Sequence, residues 1–138
     1  MNQMNFTNEE IMDFLKDNDI KPSNIRLKVF RYLLNYRIHP TVDDIYNSLI
    51  DEIPTLSRTS IYNTMNLFKE KGIVNELFLN EKEIRYDINT KLHAHFKCEK
   101  CGIIYDFPIV ENSNNGLKGF VIKNKSINYY GICAKCNK

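Results

Sequence analysis

All four cysteines of this 138-residue chain belong to C-x-x-C pairs, Cys98/Cys101 and Cys133/Cys136. Two residues between cysteines let one tight turn aim both sulfurs at a point about 2.3 Å away. Two such turns brought together complete a tetrahedral four-sulfur shell, the closed coordination of structural zinc. The chain must therefore fold its C-terminal end back beside residue 98. The stretch between the pairs, residues 102–132, is longer than the roughly 15–20 residues of a simple zinc ribbon. A small subdomain can fill it. A thioredoxin-like redox pair would need a βαβ context, which neither pair has. Disulfides would need export, and MNQMNFTNEE lacks the basic-then-apolar layout of a signal peptide. No apolar run approaches the roughly 18 residues that span a membrane. The expectation is a cytoplasmic protein whose cysteines hold metal.

Charge does not identify a partner. The formal +2 is cancelled once four thiolates hold a Zn2+ ion. Residues 1–90 carry 11 Lys and Arg against 14 Asp and Glu, while residues 91–138 carry 8 against 3. The part expected below to contact DNA is thus not basic overall, and the case for DNA rests on placement.

Thr7 with Glu10 forms a capping box that predicts a helix from about Asn8, with Ile11, Phe14 and Leu15 on one face. Ser23 caps a second helix whose core stripe is Ile25, Val29, Phe30, Leu33 and Leu34. Arg26, Lys28, Arg31 and Arg37 fall largely off that stripe. His39-Pro40 ends the helix, and Thr41 with Asp44 caps a third that buries Val42, Ile45, Tyr46 and Leu49. Ser57 caps a fourth, which runs to about Lys71 before Gly72. The opening of this fourth helix, RTSIYNT at 58–64, is rich in side chains that reach base edges and phosphates. GIVNELFL and IRYDI then read as a strand hairpin. Helices followed by a hairpin give a winged-helix DNA-binding domain, 1–87, whose recognition helix enters the major groove. The competing reading is a small helical module that binds no nucleic acid.

Residues 88–92 read as a hinge, and 93–138 as a second, zinc-containing domain. The fold class is α+β, the second domain being small and mostly β. It is expected to begin with a strand carrying His93 and His95, followed by strands at Ile103–Phe107, Gly119–Lys123 and Ser126–Ile132. Strand alternation puts His93 and His95 on one face. From spacing alone these are either a ligand pair or surface imidazoles.

The ordered set HPTVDDIY (39–46), LSRTSIYNTMNLFKEKGIV (56–74), RYDI (85–88), H-x-H-x-x-C-x-x-C (93–101), YDF (105–107) and the final C-x-x-C after YGI resembles the ferric uptake regulator (Fur) family. Within it, the sequence resembles the peroxide-sensing PerR branch. The resemblance covers nearly the whole chain. It implies a homodimeric winged-helix repressor whose C-terminal domain makes the dimer. It implies structural Zn2+ on Cys98, Cys101, Cys133 and Cys136, and a regulatory ion, Fe2+ or Mn2+, on His39, Asp87, His93, His95 and Asp106. Aspartate at both 87 and 106 is the feature that resembles the peroxide sensor. Tyr62 and Asn63 match recognition-helix positions. Arg26, Ser57, Arg58 and Thr59 complete the expected contacts to operator DNA.

The implied mechanism is a clamp. One ion held by both domains sets the angle between paired recognition helices, and Fe2+ with peroxide oxidises His39 or His93 and releases it. Such a protein consumes itself and is not an enzyme; peroxide is its one small-molecule reactant. Two alternatives remain open at the sequence level. One is a metal-uptake repressor that senses iron, manganese or zinc and ignores peroxide. The other, more distant, is a metalloenzyme at the His/Asp site, although no further acid, base or nucleophile is grouped nearby.

Overall fold

The computed structural model describes residues 6–36, 39–80, 83–88, 93–109, 116–122 and 126–138, with the side chains of 79 and 80 excepted. The chain forms two compact units, Met1–Thr90 and Lys91–Lys138. Of the expected hinge, only residue 88 lies among the described residues.

The first unit holds helices α1 (Asn8–Asp17), α2 (Asn24–Asn35), α3 (Val42–Leu49) and α4 (Arg58–Glu70), then strands β1 (Asn75–Asn80) and β2 (Glu83–Asp87). Each helix starts where a hydroxyl can accept one of the orphan N–H groups of its first turn. Thr7, Ser23, Thr41 and Ser57 are the four N-caps. Thr7 with Glu10 and Thr41 with Asp44 make reciprocal capping boxes. The end of α4 is equally determined. Gly72 takes φ +78°, and the Gly72 and Ile73 N–H groups return to the carbonyls of Lys69 and Phe68. This paired closure needs a left-handed residue, which glycine supplies without strain. It also explains why the strand begins at Asn75 rather than at Gly72. The first three residues of the expected strand complete the helix exit instead, and Ile73 and Val74 are buried.

One core holds the unit together. Val29, Phe30 and Leu33 of α2 meet Ile45 of α3 and Ile61, Met65 and Phe68 of α4. Phe30 stands edge-on to Phe68 at 5.2 to 5.7 Å from its aromatic neighbours, stacking with Phe14 at the shorter distance. Phe14, expected inside, is partly exposed. Arg31 departs from the surface role expected of it, because its guanidinium donates to the Phe6 carbonyl and to Asn8 Oδ1, tying α2 to the start of α1. Arg37 lies outside the described residues. The hairpin is antiparallel, Asn75 opposite Asp87, with an irregularity between Leu77 and Asn80.

The second unit is a three-stranded sheet in the order β4-β3-β5, formed by β3 (Ala94–Cys98), β4 (Ile104–Phe107) and β5 (Ile127–Gly131). Strand β3 is central, antiparallel to β4 and parallel to β5. The strand expected at Gly119–Lys123 is absent over its described part, 119–122, where the chain is irregular. Phe120, Val121 and Ile122 have the composition of a strand, yet all three are exposed. Strand propensity reflects fit to a packed, paired surface, and these residues have no such surface among the described ones. No helix among the described residues is long and apolar enough to cross a membrane.

Candidate metal centre

The sheet register assembles the cysteine cluster. Cys98 closes β3 opposite Gly131 of its parallel neighbour β5, so the turn after β5 delivers Cys133 beside it. Cys101 follows in a knuckle whose Gly102 takes φ +77°, and the Gly102 N–H returns to the Cys98 carbonyl at 2.9 Å. The four sulfurs lie within 4.8 Å of one another. The Cys101 and Cys133 sulfurs are 3.8 Å apart. A tetrahedron with metal–sulfur bonds of about 2.3 Å has sulfur–sulfur edges of about 3.8 Å. A disulfide needs about 2.05 Å. The donor set and its spacing fit Zn2+.

The backbone prepares these sulfurs for a cation. N–H groups of Cys101 and Cys133 both point at Cys98 Sγ, each at 3.4 Å. These two donors hold the Cys98 thiol far below its ordinary range, at about 6. The Tyr105 hydroxyl donates to Cys133 and, with the Cys136 backbone, pulls that thiol down too. Cys136 is pushed up to about 12, chiefly by its bond to Cys133 and by burial. Some thiols are thus already poised as thiolates while others keep their protons, and a dication is what stabilises all four as thiolates. Tyr105 was not legible as a supporting residue from the sequence. Its strand position, within reach of the second knuckle, is the signal that could have found it.

The remaining expected ligands form a group in each unit. In the first, His39 and Asp87 are both buried, and His39 Nε2 lies 3.7 Å from Asp87 Oδ2. His39 has φ +57°, a left-handed conformation that is uncommon outside glycine, although histidine, asparagine and aspartate tolerate it best. Proline follows, which further restricts the residue before it. A conformation of this kind costs about 1–3 kcal/mol and persists only where the surroundings impose it. Here Arg85 Nη1 donates to the His39 carbonyl at 3.1 Å and the Tyr86 N–H to the Pro40 carbonyl at 3.0 Å.

In the second unit, His95 and Asp106 are directly opposed across β3 and β4. His95 Nε2 lies 3.4 Å from Asp106 Oδ1, and His93 Nε2 lies 3.9 Å from the same oxygen. The two imidazole centroids are 4.4 Å apart. Two imidazoles and one carboxylate aimed at one point form the donor set favoured by Fe2+ and related divalent ions.

The expected DNA contacts lie at or near two helix starts. Thr59, Tyr62 and Asn63 are exposed on the first turns of α4. Ser57 is the cap of that helix, its hydroxyl accepting from Ser60 N at 3.1 Å. Arg58 is held by α3, with Nε 2.7 Å from Asp43 Oδ1 and its guanidinium 4.2 Å over the Tyr46 ring. Arg26 donates through Nη1 to the Lys21 carbonyl at 2.7 Å.

The chain is similar to known proteins over most of its length. The chain is 34% identical over 135 residues to the peroxide operon regulator of Bacillus subtilis, covering 94% of this chain and 93% of that protein. It is 35% identical over 133 residues to the peroxide-responsive repressor PerR of Staphylococcus aureus, covering 93% and 90%. Among solved structures, the Campylobacter jejuni peroxide stress regulator superposes with a TM-score of 0.64 at 28% identity, covering 92% of this chain and 99% of that one. Residues 17–130 match the ferric uptake regulator family as a whole. With its winged hairpin, its four-sulfur cluster and this match across most of its length, the chain belongs to the ferric uptake regulator family.

Proposed function

We propose that this protein is a metal-dependent transcriptional repressor that binds operator DNA as a homodimer and is switched off by peroxide. The observation that carries the reading is the division of donors. The first unit offers two, His39 and Asp87, buried and 3.7 Å apart. The second offers three, with His93 and His95 converging on Asp106. Neither set fills the shell of a divalent ion, and together they make three nitrogens and two oxygens, a mixture suited to Fe2+ or Mn2+.

His39 and Asp87 with His93, His95 and Asp106 would hold one ion and so tie the DNA-binding unit to the dimerising unit. Two recognition helices must meet two half-sites at a fixed spacing, so loss of the tie weakens both contacts. The exposed side chains of Thr59, Tyr62 and Asn63 support α4 as the helix that enters the groove. Arg26, Arg58 and the Ser57 hydroxyl are placed at or near helix starts, where phosphates are bound. Exposed Phe120, Val121, Tyr129, Tyr130 and Ile132 support a homodimer through the second unit, since large apolar surfaces mark association sites.

Likeness to peroxide regulators, and aspartate at both 87 and 106, support peroxide as the signal. Bound Fe2+ supplies the redox chemistry. The protein supplies the substrate: a ring C–H of His39 or His93 would take up one peroxide oxygen, its hydrogen staying on the ring as O–H or N–H, while the other oxygen leaves as water. The oxidised ring is a poorer donor, and the grip opens.

The test begins with duplexes selected from a random library on the Mn2+-loaded protein. Binding is expected to need Mn2+ or Fe2+. Peroxide is expected to release the Fe2+ form and spare the Mn2+ form, with one oxygen atom added to a peptide containing His39 or His93. Release that tracks metal concentration alone, with intact histidines, assigns the protein to metal-uptake control instead.

A further inference from the structure

We infer that Arg85 is the positioning residue of the His39–Asp87 pair, holding the His39 backbone so that its imidazole meets the carboxylate. This deepens the proposed regulatory site and rests on it for the consequence on metal binding. The argument starts from the pleat. Side chains two apart on a strand share a face, so Glu83, Arg85 and Asp87 of β2 line one side of it. They act on one residue in sequence. Glu83 Oε2 accepts from Arg85 Nη2 at 3.2 Å and orients the guanidinium. Arg85 Nη1 donates to the His39 carbonyl at 3.1 Å. Asp87 Oδ2 stands 3.7 Å from the His39 imidazole. One face of the wing thus takes both the main chain and the side chain of His39. The neighbouring Tyr86 N–H holds the Pro40 carbonyl at 3.0 Å.

The hold is needed because His39 is left-handed, at φ +57°, and precedes a proline. Without a fixed carbonyl the residue has extended alternatives that swing the imidazole elsewhere. A guanidinium suits the task because its planar fork can bond the carbonyl and Glu83 at once.

Charge and positioning predict opposite signs. A cation beside a metal site repels the metal, so removing Arg85 for its charge alone tightens binding. Removing it as a positioning residue weakens binding, by about 10–100-fold where an outer partner of a ligand is lost. The experiment uses Arg85→Gln in the full-length, zinc-loaded protein. Mn2+ affinity is measured by titration, and the nitrogen NMR signals of the imidazoles are recorded without Mn2+. The chain has three histidines, so each can be followed. The expected result is a loss of Mn2+ affinity of about 10-fold or more, with the His39 signals shifted and those of His93 and His95 unmoved. Unchanged or tighter Mn2+ binding, or an unmoved His39 signal, overturns the inference. Should Arg85→Gln not fold, Glu83→Gln is read in the same way, with a His39 shift expected and a smaller loss of affinity. If the wild type itself binds no Mn2+, the regulatory reading fails, while the His39 signal still decides whether Arg85 positions the ring.

Discussion

Replacing His39 by glycine and by alanine separates its backbone role from its ligand role. Both substitutions delete the imidazole, so the lost packing is nearly the same. They differ in the left-handed conformation at φ +57°. An alanine there carries a steric cost of about 1–2 kcal/mol. Glycine carries none, but loses about 0.5–1 kcal/mol more conformational entropy on folding. The glycine variant should therefore be the more stable by about 0.5–1 kcal/mol. For a unit of this size that is a melting difference of roughly 2–8 °C. Melting is followed by circular dichroism on zinc-loaded protein without the regulatory ion. Function should ignore the difference, because neither variant has the donor. Mn2+-dependent DNA affinity, read by fluorescence anisotropy, should fall in both by roughly 5–150-fold, the range of a coupling of about 1–3 kcal/mol. An alanine variant as stable as the glycine one refutes the backbone argument. A full Mn2+ response in either refutes the ligand role.

Stripping zinc with a strong chelator should abolish amide-exchange protection in residues 94–107 and 127–131 and leave helices α1 to α4 protected; uniform loss of protection would contradict two separately held units. Tyr105→Phe keeps the ring and removes the donor to Cys133, so zinc should pass to a chromogenic chelator faster and the sulfur-to-metal bands of the Co2+-substituted protein should move; identical transfer rates and spectra would deny the hydrogen bond any influence. The Cys98 thiol sits at about 6, below its unfolded range, because two backbone N–H groups favour the thiolate. Its stabilising effect on the metal-free fold is therefore complete above the ordinary thiol range and disappears as pH falls through about 6. At pH 7.5 the stripped unit has lost the fold that lowers Cys98, so zinc uptake should release close to four protons, measured with a pH indicator; a release well below four would show that the stripped unit keeps its fold and a pre-formed thiolate.

The helices and caps were legible because they depend on local chemistry. A hydroxyl three residues before a suitable N–H specifies Thr7, Ser23, Thr41 and Ser57 as caps whatever the rest of the chain does. The cysteine cluster was legible because C-x-x-C spacing is itself a geometry. What escaped depends on partners distant in sequence. Arg31 looked like one more solvated base until α1 lay beneath it. Arg85 read only as part of the wing, since its acceptor is a carbonyl 46 residues earlier. Tyr105 looked like an ordinary strand aromatic, and its bond to Cys133 exists only once β5 has returned beside β3. The misreading over 119–122 has the opposite origin. There the composition favours a strand, but a strand needs a neighbour, and composition does not report one.

The two units are stabilised in different ways, and this explains why one protein needs two kinds of metal site. The continuous core of buried aliphatic and aromatic side chains lies entirely in the first unit, from Ile11 to Tyr86. In the second, the buried apolar residues among those described are Ala94, Cys98 and Cys133. A sheet with so little interior gains too little from burial to offset the entropy of ordering its chain. A closed zinc site changes that balance, since zinc binding to small peptides is worth about 10–16 kcal/mol at neutral pH. The four-sulfur site must therefore stay filled for the unit to exist, and it is a poor place for a signal. A signal has to be reversible in occupancy and small in free energy. The proposed regulatory set of histidines and aspartates suits that requirement, because neither the core of the first unit nor the sulfur cluster of the second depends on it. On the proposed reading, loss of the second ion would weaken DNA binding and leave both folded units intact.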